Sequence, residues 1–199
     1  MECFCPETCN KGLMDPFEII SEYYKPGTSL YDILVKHSEL VAKKALKLAE
    51  KVTHLKPDLD FINEASMLHD IGILQTNVKQ LGCRGSHPYV IHGYLGRIIL
   101  EQKGFPRHAL TCERHVGAGI TAEDIMERKM PLPVRDMVPE SIEEKIICVA
   151  DKFFSKDPDG MKNEKTIDEV VAKLRSYGPG QVERFLEWVE LFEGDSRSL

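Results

Sequence analysis

The residues best suited to chemistry are His69 and Asp70, which stand side by side within the apolar run 65–74. Apolar residues recur around them at helical spacing, so the pattern predicts one helix with both side chains on its buried flank. An imidazole and a carboxylate are costly to bury without partners. Together, however, they can bind a divalent metal ion from one side. We therefore expect other parts of the chain to supply further ligands.

Two more candidate ligands lie among the apolar residues of other predicted helices. His37 interrupts the apolar stripe of a long helix, and Asp151 ends the apolar run 146–150. A single buried histidine is more often a core residue than a ligand, and a single buried aspartate usually caps a helix or pairs with a cation. The inner faces of these helices offer few basic residues as partners. Helical bundles build metal sites from ligands that several helices present inward.

Proline, glycine and capping residues divide the chain into the helices that must position these ligands. Asp15 and Pro16 open a short first helix, and Ser29 is predicted to cap a long second helix that runs to about His54. Asp60 is predicted to cap the helix of the histidine–aspartate pair. A loop is expected over residues 75–88, and further helices are predicted over residues 89–103, 106–115, a short stretch after 121, 140–155, 167–177 and 179–192.

No alternating pattern typical of strands and no internal repeat is present, so the predicted fold is an all-α helical bundle. Residues 1–15 form a cysteine-bearing N-terminal segment, and residues 16–199 are expected to form a single domain with its motifs in 29–156. Cys3, Cys5 and Cys9 could bind a metal, but their spacing is not specific and we favour free thiols. The other cysteines are expected to be core or loop residues.

Composition limits the function classes. The net charge is −6 and the pI is about 5.7, which argues against a nucleic-acid polymer or an anionic membrane as partner. No apolar run is long enough to span a membrane, and residues 1–5 do not resemble a secretory signal. The six cysteines do not form a disulfide framework for a chain of 199 residues, so we expect a reducing cytoplasm.

The order of His37, His69-Asp70 and Asp151 in this helical context resembles the HD-domain superfamily of metal-dependent phosphohydrolases, over about residues 37–154. The resemblance implies an HD-domain helical bundle in which these four residues hold one metal ion. His92, in a His-Gly pair, and His115 occur where dinuclear branches of the superfamily have two more histidines. By that resemblance they hold a second ion, with Asp70 bridging.

Among these branches the chain is most similar to the bacterial hydrolases of diadenosine tetraphosphate, with His37-Ser38, His92-Gly93 and Ala150-Asp151 in the matching order. It departs from them at Ile73, where many HD proteins have a lysine. The Gly-Tyr-Pro motif of the cyclic-dinucleotide branch is absent after His115, which disfavours that activity. Branches that hydrolyse nucleoside monophosphates with a single metal lack the two middle histidines, which disfavours that role as well.

The resemblance implies hydrolysis of a phosphate ester or phosphoanhydride, of a small phosphorylated molecule such as a nucleotide, by a metal-activated water. Asp70, Arg84 in the loop 82–87 and Lys152 are the predicted catalytic residues, with Arg114 a further candidate phosphate contact. Two divalent ions are expected, iron or manganese first, with zinc, nickel or magnesium as alternatives. A di-iron oxygenase that cleaves a C–C or C–P bond and a non-catalytic HD regulatory module remain alternatives, and a homodimer remains open.

Overall fold

The computed structural model describes residues 14–157 and 163–193. In these ranges the chain forms nine α-helices, joined by loops and short 3₁₀ segments, and it has isolated β-bridges but no strand. The all-α prediction is therefore confirmed. The helices are α1 (Pro16–Tyr23), α2 (Ser29–Lys51), α3 (Leu59–Leu68), α4 (His92–Gln102), α5 (Pro106–Arg114), α6 (Ala122–Glu127), α7 (Ile142–Lys152), α8 (Ile167–Arg175) and α9 (Pro179–Glu193).

Two predicted caps are wrong by one or two residues. Thr28, not Ser29, caps α2 by accepting a hydrogen bond from the Tyr31 amide at 3.4 Å. Asp58, not Asp60, caps α3 by accepting from the Phe61 amide at 3.0 Å. In both cases the capping residue has an extended backbone and lies just before the first helical residue, as the geometry of an N-cap requires.

Several helix ends also differ from the prediction. Helix α2 stops at Lys51, and Thr53–Leu55 form a 3₁₀ turn that ends at Lys56 in the left-handed region. Helix α7 is shorter than predicted, because Ser141 caps its start and the chain leaves the helix after Lys152. Cys3, Cys5 and Cys9 lie outside the described residues, and the boundary at residue 15 stays a prediction.

The apolar core consists of two main clusters that share α2. One cluster packs α2, α3, α7, α8 and α9 together, and the other packs α1, α2 and α3 against α4 and α5. Leu34 belongs to the second cluster, while Val41 belongs to the first. His37 lies between them on the same face of α2, so its side chain is buried at the boundary of the two clusters.

The histidine–aspartate pair lies at a break in the chain, not inside one continuous helix. Helix α3 ends at Leu68, and a 3₁₀ segment, Ile71–Gln75, follows Asp70. Two tertiary contacts favour the break. The Tyr24 hydroxyl donates to the Ile71 carbonyl at 2.8 Å and accepts from the Leu74 amide at 2.9 Å. Gly72 lies so close to α4 that a Cβ there would overlap the His92 carbonyl and the Gly96 amide.

Small residues also bring α4 against α5. A Cβ at Gly93 would overlap the Cys112 carbonyl, and one at Gly96 would overlap the Cys112 sulfur. The Cys112 thiol in turn lies 2.9 Å from the His69 carbonyl, which it can bond weakly. These close approaches place the start of α4 and the end of α5 beside the chain at Asp70.

Among the described residues, no helix is both long enough and apolar enough to cross a membrane. Cys83, Cys112 and Cys148 are buried free thiols, as predicted for core and loop cysteines.

Candidate metal centre

Five parts of the fold direct six polar side chains to one buried point. His37 comes from α2, His69 and Asp70 follow α3, His92 begins α4, His115 follows α5 and Asp151 lies near the end of α7. All six are buried, and Asp151 is the most exposed of them at 6%. These are the six residues that the sequence predicted as metal ligands.

The first group contains His37, His69, Asp70 and Asp151, whose inward atoms all lie within 4.8 Å of one another. The Nε2 atom of His37 lies 2.9 Å from Asp151 Oδ1 and 3.4 Å from Asp70 Oδ2. The Nε2 atom of His69 lies 3.2 Å from Asp70 Oδ2 and 3.4 Å from Asp151 Oδ1. Two imidazoles and two carboxylates thus surround one small space.

The second group contains His92, His115 and the same Asp70. The other oxygen of Asp70, Oδ1, lies 3.2 Å from His92 Nε2 and 3.3 Å from His115 Nε2. The two Nε2 atoms are 3.1 Å apart. Asp70 therefore presents one oxygen to each group, which is the geometry of a bridging carboxylate.

Hydrogen bonds on the outer side of three rings determine their tautomers. The Nδ1 atoms of His69, His92 and His115 lie 2.6–2.7 Å from the carbonyl oxygens of Ser66, Tyr89 and Cys112. A carbonyl oxygen can only accept, so each Nδ1 carries a proton, and in the neutral form of each ring the unprotonated nitrogen is the inward Nε2. This is the usual support for histidines that bind a metal.

The inward atoms are consistent with a cation and poorly matched to one another. The Nε2 atoms of His92 and His115 are both acceptors in these tautomers, as is Asp70 Oδ1 between them. His69 Nε2 and Asp70 Oδ1 are buried and make no hydrogen bond among the described residues, whereas the Lys156 ammonium lies 2.8 Å from Asp70 Oδ2. Buried acceptors that converge without a donor are costly, and a divalent ion would satisfy them. The residues present therefore fit divalent metal ions.

The pKa values of the histidines depend on burial and on the two carboxylates. Burial lowers the pKa of His37 to about 4 and that of His115 to about 3, so both rings are neutral and able to bind a metal at neutral pH. Burial also opposes charge on His69, but the neighbouring Asp70 and Asp151 carboxylates outweigh it and raise its pKa to about 9. The carboxylates thus stabilise positive charge at this point.

Comparison with known proteins agrees with this geometry. Residues 34–155 match the family model of the HD domain. The chain belongs to the HD domain family. No solved structure shows a significant match to it.

The chain is also similar to curated proteins. It is similar to the tRNA (cytidine(56)-2′-O)-methyltransferase of Picrophilus torridus, with 37% identity over 63% of this chain and 33% of that protein. It is also similar to the tRNA (cytidine(56)-2′-O)-methyltransferase of Thermoplasma volcanium, with 32% identity over 73% of this chain and 38% of that protein. An uncharacterized protein of Methanocaldococcus jannaschii is 34% identical over 71% of this chain and 75% of its own length. The chain thus spans only about a third of the length of either methyltransferase.

Together the six inward residues, His37, His69, Asp70, His92, His115 and Asp151, are called the HD centre. Two lysines adjoin its carboxylates. The Lys152 ammonium donates to Asp151 Oδ2 at 2.6 Å and to the His115 carbonyl at 3.0 Å. Lys156 lies just beyond α7, with its Nζ 2.8 Å from Asp70 Oδ2 and 3.6 Å from Asp151 Oδ1. Burial alone would raise the pKa of both carboxyl groups. His69, with Lys156 and His115, holds the pKa of Asp70 well below its usual range, and Lys152 and Lys156, with His37 and His69, do the same for Asp151.

Lys156 was not predicted from the sequence, because it lies in a loop without helical period and five residues from Asp151. The Tyr89 ring, also not predicted, stacks on His92 with centroids 4.5 Å apart.

The Arg114 guanidinium is bound by Glu144 and Glu140 at 2.9–3.2 Å. Arg84 is exposed and does not line the cavity beside the HD centre. Its catalytic role remains a prediction.

The HD centre opens into a cavity of about 610 Å³. Three inward residues of the centre, His92, His115 and Asp151, form part of its wall. Lys152 and Lys156 line the cavity next to them, so a ligand inside can reach the centre and two cations together. A volume of this size accommodates a small organic molecule.

Proposed function

We propose that this HD domain is a metal-dependent phosphohydrolase that cleaves a phosphate ester or phosphoanhydride of a small molecule, with a nucleotide as the first substrate to test. The observation that supports it most is the position of Asp70, which faces one histidine group with each oxygen and lies behind a lysine-lined cavity whose wall includes His92, His115 and Asp151. A carboxylate shared between two cation sites beside an anion-binding wall suits phosphoryl transfer.

Divalent ions bound in these two groups would lower the pKa of a shared water and neutralise charge that grows on the phosphoryl oxygens. Asp70 would set the separation of the two sites by using both of its oxygens. The carbonyl partners of His69, His92 and His115 would keep those rings oriented during turnover.

Lys152 and Lys156 would bind the phosphate itself. Both ammonium groups lie at the cavity wall and next to the carboxylates, where a phosphate near the centre would come within reach. Lys156 would then act in place of the lysine that many HD proteins have where this chain has Ile73.

We do not propose that this chain methylates tRNA. The alignments cover only 33% and 38% of the two methyltransferases, so their named activity is compatible with a location in the part of those proteins that this chain does not match. The net charge of −6 is also unfavourable for a polyanionic RNA partner.

A second candidate function is a di-iron oxygenase, because the six residues provide four imidazoles and two carboxylates, a set that iron accepts readily. Dioxygen dependence and the source of oxygen in the product separate the two. A hydrolase needs no dioxygen and places one oxygen from water in the released phosphate.

The test is a phosphate-release screen over nucleotides and phosphate esters with manganese-loaded protein under nitrogen, in ¹⁸O-labelled water. We expect release without dioxygen, one labelled oxygen per phosphate, and a loss of at least about a hundredfold in kcat/KM for Asp70→Asn. The exposed Lys47→Gln variant serves as the control with unchanged activity. Turnover that requires dioxygen, with label entering from the gas, would assign the oxygenase function instead.

A further inference from the structure

The cavity beside the HD centre has a second group of cations on another wall. Lys165 precedes α8, Lys173 lies on α8, and Arg128 follows α6, and all three line the cavity. With Lys152 and Lys156, five basic side chains face one space in a chain whose net charge is −6. This concentration of positive charge is opposite to the overall charge of the protein.

Acidic residues do not neutralise the lysines on this wall. No carboxylate of the described residues forms an ion pair with Lys165 or Lys173, whereas Lys152 and Lys156 are paired with Asp151 and Asp70. Three acidic residues line the cavity: Asp124, which accepts from the Thr121 amide and hydroxyl, Asp151, which pairs with Lys152, and Asp157, so the five basic residues outnumber them. The second wall therefore carries an excess of positive charge.

The pKa of Lys165 agrees with this excess. Partial burial lowers it from its ordinary value, and the charge of Lys173 lowers it further; the Asp151 carboxylate opposes this shift, while Lys152 and Lys156 add to it. Cations that crowd one another in this way would be stabilised by an anion between them.

The same wall also has an apolar part. Val170 and Leu174 on α8 are buried, and with Ile120, Met130 and Tyr177 they line the cavity. A cavity with a cationic stretch and an apolar stretch suits a ligand with several phosphates and an organic ring.

We propose that Lys165 and Lys173 form a second anion-binding subsite that holds a further phosphate of the substrate while the reacting phosphate lies at the HD centre. The proposal rests on the proposed function and narrows its substrate class to small molecules with at least two phosphate groups, such as nucleoside polyphosphates. Simple monophosphate esters would bind at the centre alone.

A binding test examines the subsite without catalysis. The full-length protein is first treated with a chelator, because pyrophosphate bound to a metal ion would obscure binding at the lysines. It is then titrated calorimetrically with inorganic pyrophosphate and with orthophosphate. The variants are Lys165→Gln, Lys173→Gln, the double variant, and Lys47→Gln, an exposed lysine on α2 outside the cavity, as matched control.

We expect pyrophosphate to bind more tightly than orthophosphate, with a loss of about two- to fivefold for each lysine removed and a larger loss in the double variant. Orthophosphate binding, manganese content and the Lys47→Gln control should stay unchanged. Equal pyrophosphate affinity in the double variant and the unaltered protein would overturn the subsite. A short single-stranded RNA that binds more tightly than pyrophosphate, through the same two lysines, would overturn the small-molecule assignment.

This test separates the two proposals. Protein that binds pyrophosphate through Lys165 and Lys173 but never releases phosphate contradicts the proposed function while the anion site stands. Protein that releases phosphate from nucleotides with the same KM in the double variant contradicts the subsite alone.

Discussion

At the scale of single residues, the outer hydrogen bonds of the histidines are as important as their inner atoms. His69, His92 and His115 each donate from Nδ1 to a carbonyl three residues earlier in the chain. Each ring sits at or just beyond a helix end, where carbonyls and side chains of the last turn remain close. The backbone therefore sets the tautomer locally, and the fold needs only to bring the rings together.

The pKa values predict how the stability of metal-free protein depends on pH. The pKa values of His37 and His115 are about 4 and about 3 in the folded chain, against an ordinary value of 6.5 in the unfolded chain. The unfolded chain therefore binds protons at these residues at a higher pH than the folded chain does, and stability falls from pH 6.5 towards 4. His69 titrates at about 9 when folded, so stability also falls as pH rises from 6.5 through 9.

We therefore expect the melting temperature of chelator-treated protein to be highest near pH 6.5, measured by circular dichroism between pH 4 and 9. His115→Asn should flatten the acid side of this curve, and the exposed His54→Asn should leave it unchanged. A melting temperature that rises steadily from pH 4 to 9 would contradict the assigned environments of these rings.

At the scale of elements, periodicity predicted the helices and the resemblance to HD domains predicted the six inward residues, but neither predicted the break at the histidine–aspartate pair. His37 and Asp151 could be predicted because each interrupts the apolar face of a helix. The break after Leu68 depends on Tyr24 and on the close approach of α4, which no local pattern contains. Lys156 lies beyond the end of α7, where no helical period continues, so periodicity gave no reason to choose it.

The contact of Gly72 with α4 should be essential for the second histidine group. In Gly72→Ala the new methyl group would overlap the His92 carbonyl and the Gly96 amide, so the 3₁₀ segment and α4 must separate. We expect a loss of about 1–3 kcal/mol in the free energy of unfolding, together with weaker metal binding at His92 and His115. Urea unfolding measures the first effect.

Gly180→Ala is the matched control, because a Cβ at Gly180 meets only the end of the Arg184 side chain at 3.3 Å. Alanine also favours the helix that begins there. The same free energy of unfolding in both variants would show that α4 does not depend on the missing side chain at position 72.

At the scale of the whole molecule, apolar packing and the HD centre have separate roles. The two core clusters join all helices that carry the six inward residues, and they contain the largest fully buried side chains of the described residues, such as Phe185 and Tyr24. Loss of one polar side chain at the centre should therefore leave the helical fold intact. Metal content can then be compared between variants that share one structure.

The measurement that tests the central claim most directly is the ratio of metal to protein by elemental analysis after reconstitution with manganese and desalting. We predict two ions per chain, about one after His92→Ala or His115→Ala, and almost none after Asp70→Ala, since that change removes the shared carboxylate. His54→Ala should retain two. An unchanged ratio in His115→Ala, or one full ion retained in Asp70→Ala with native circular dichroism, would contradict a centre in which Asp70 joins two metal sites.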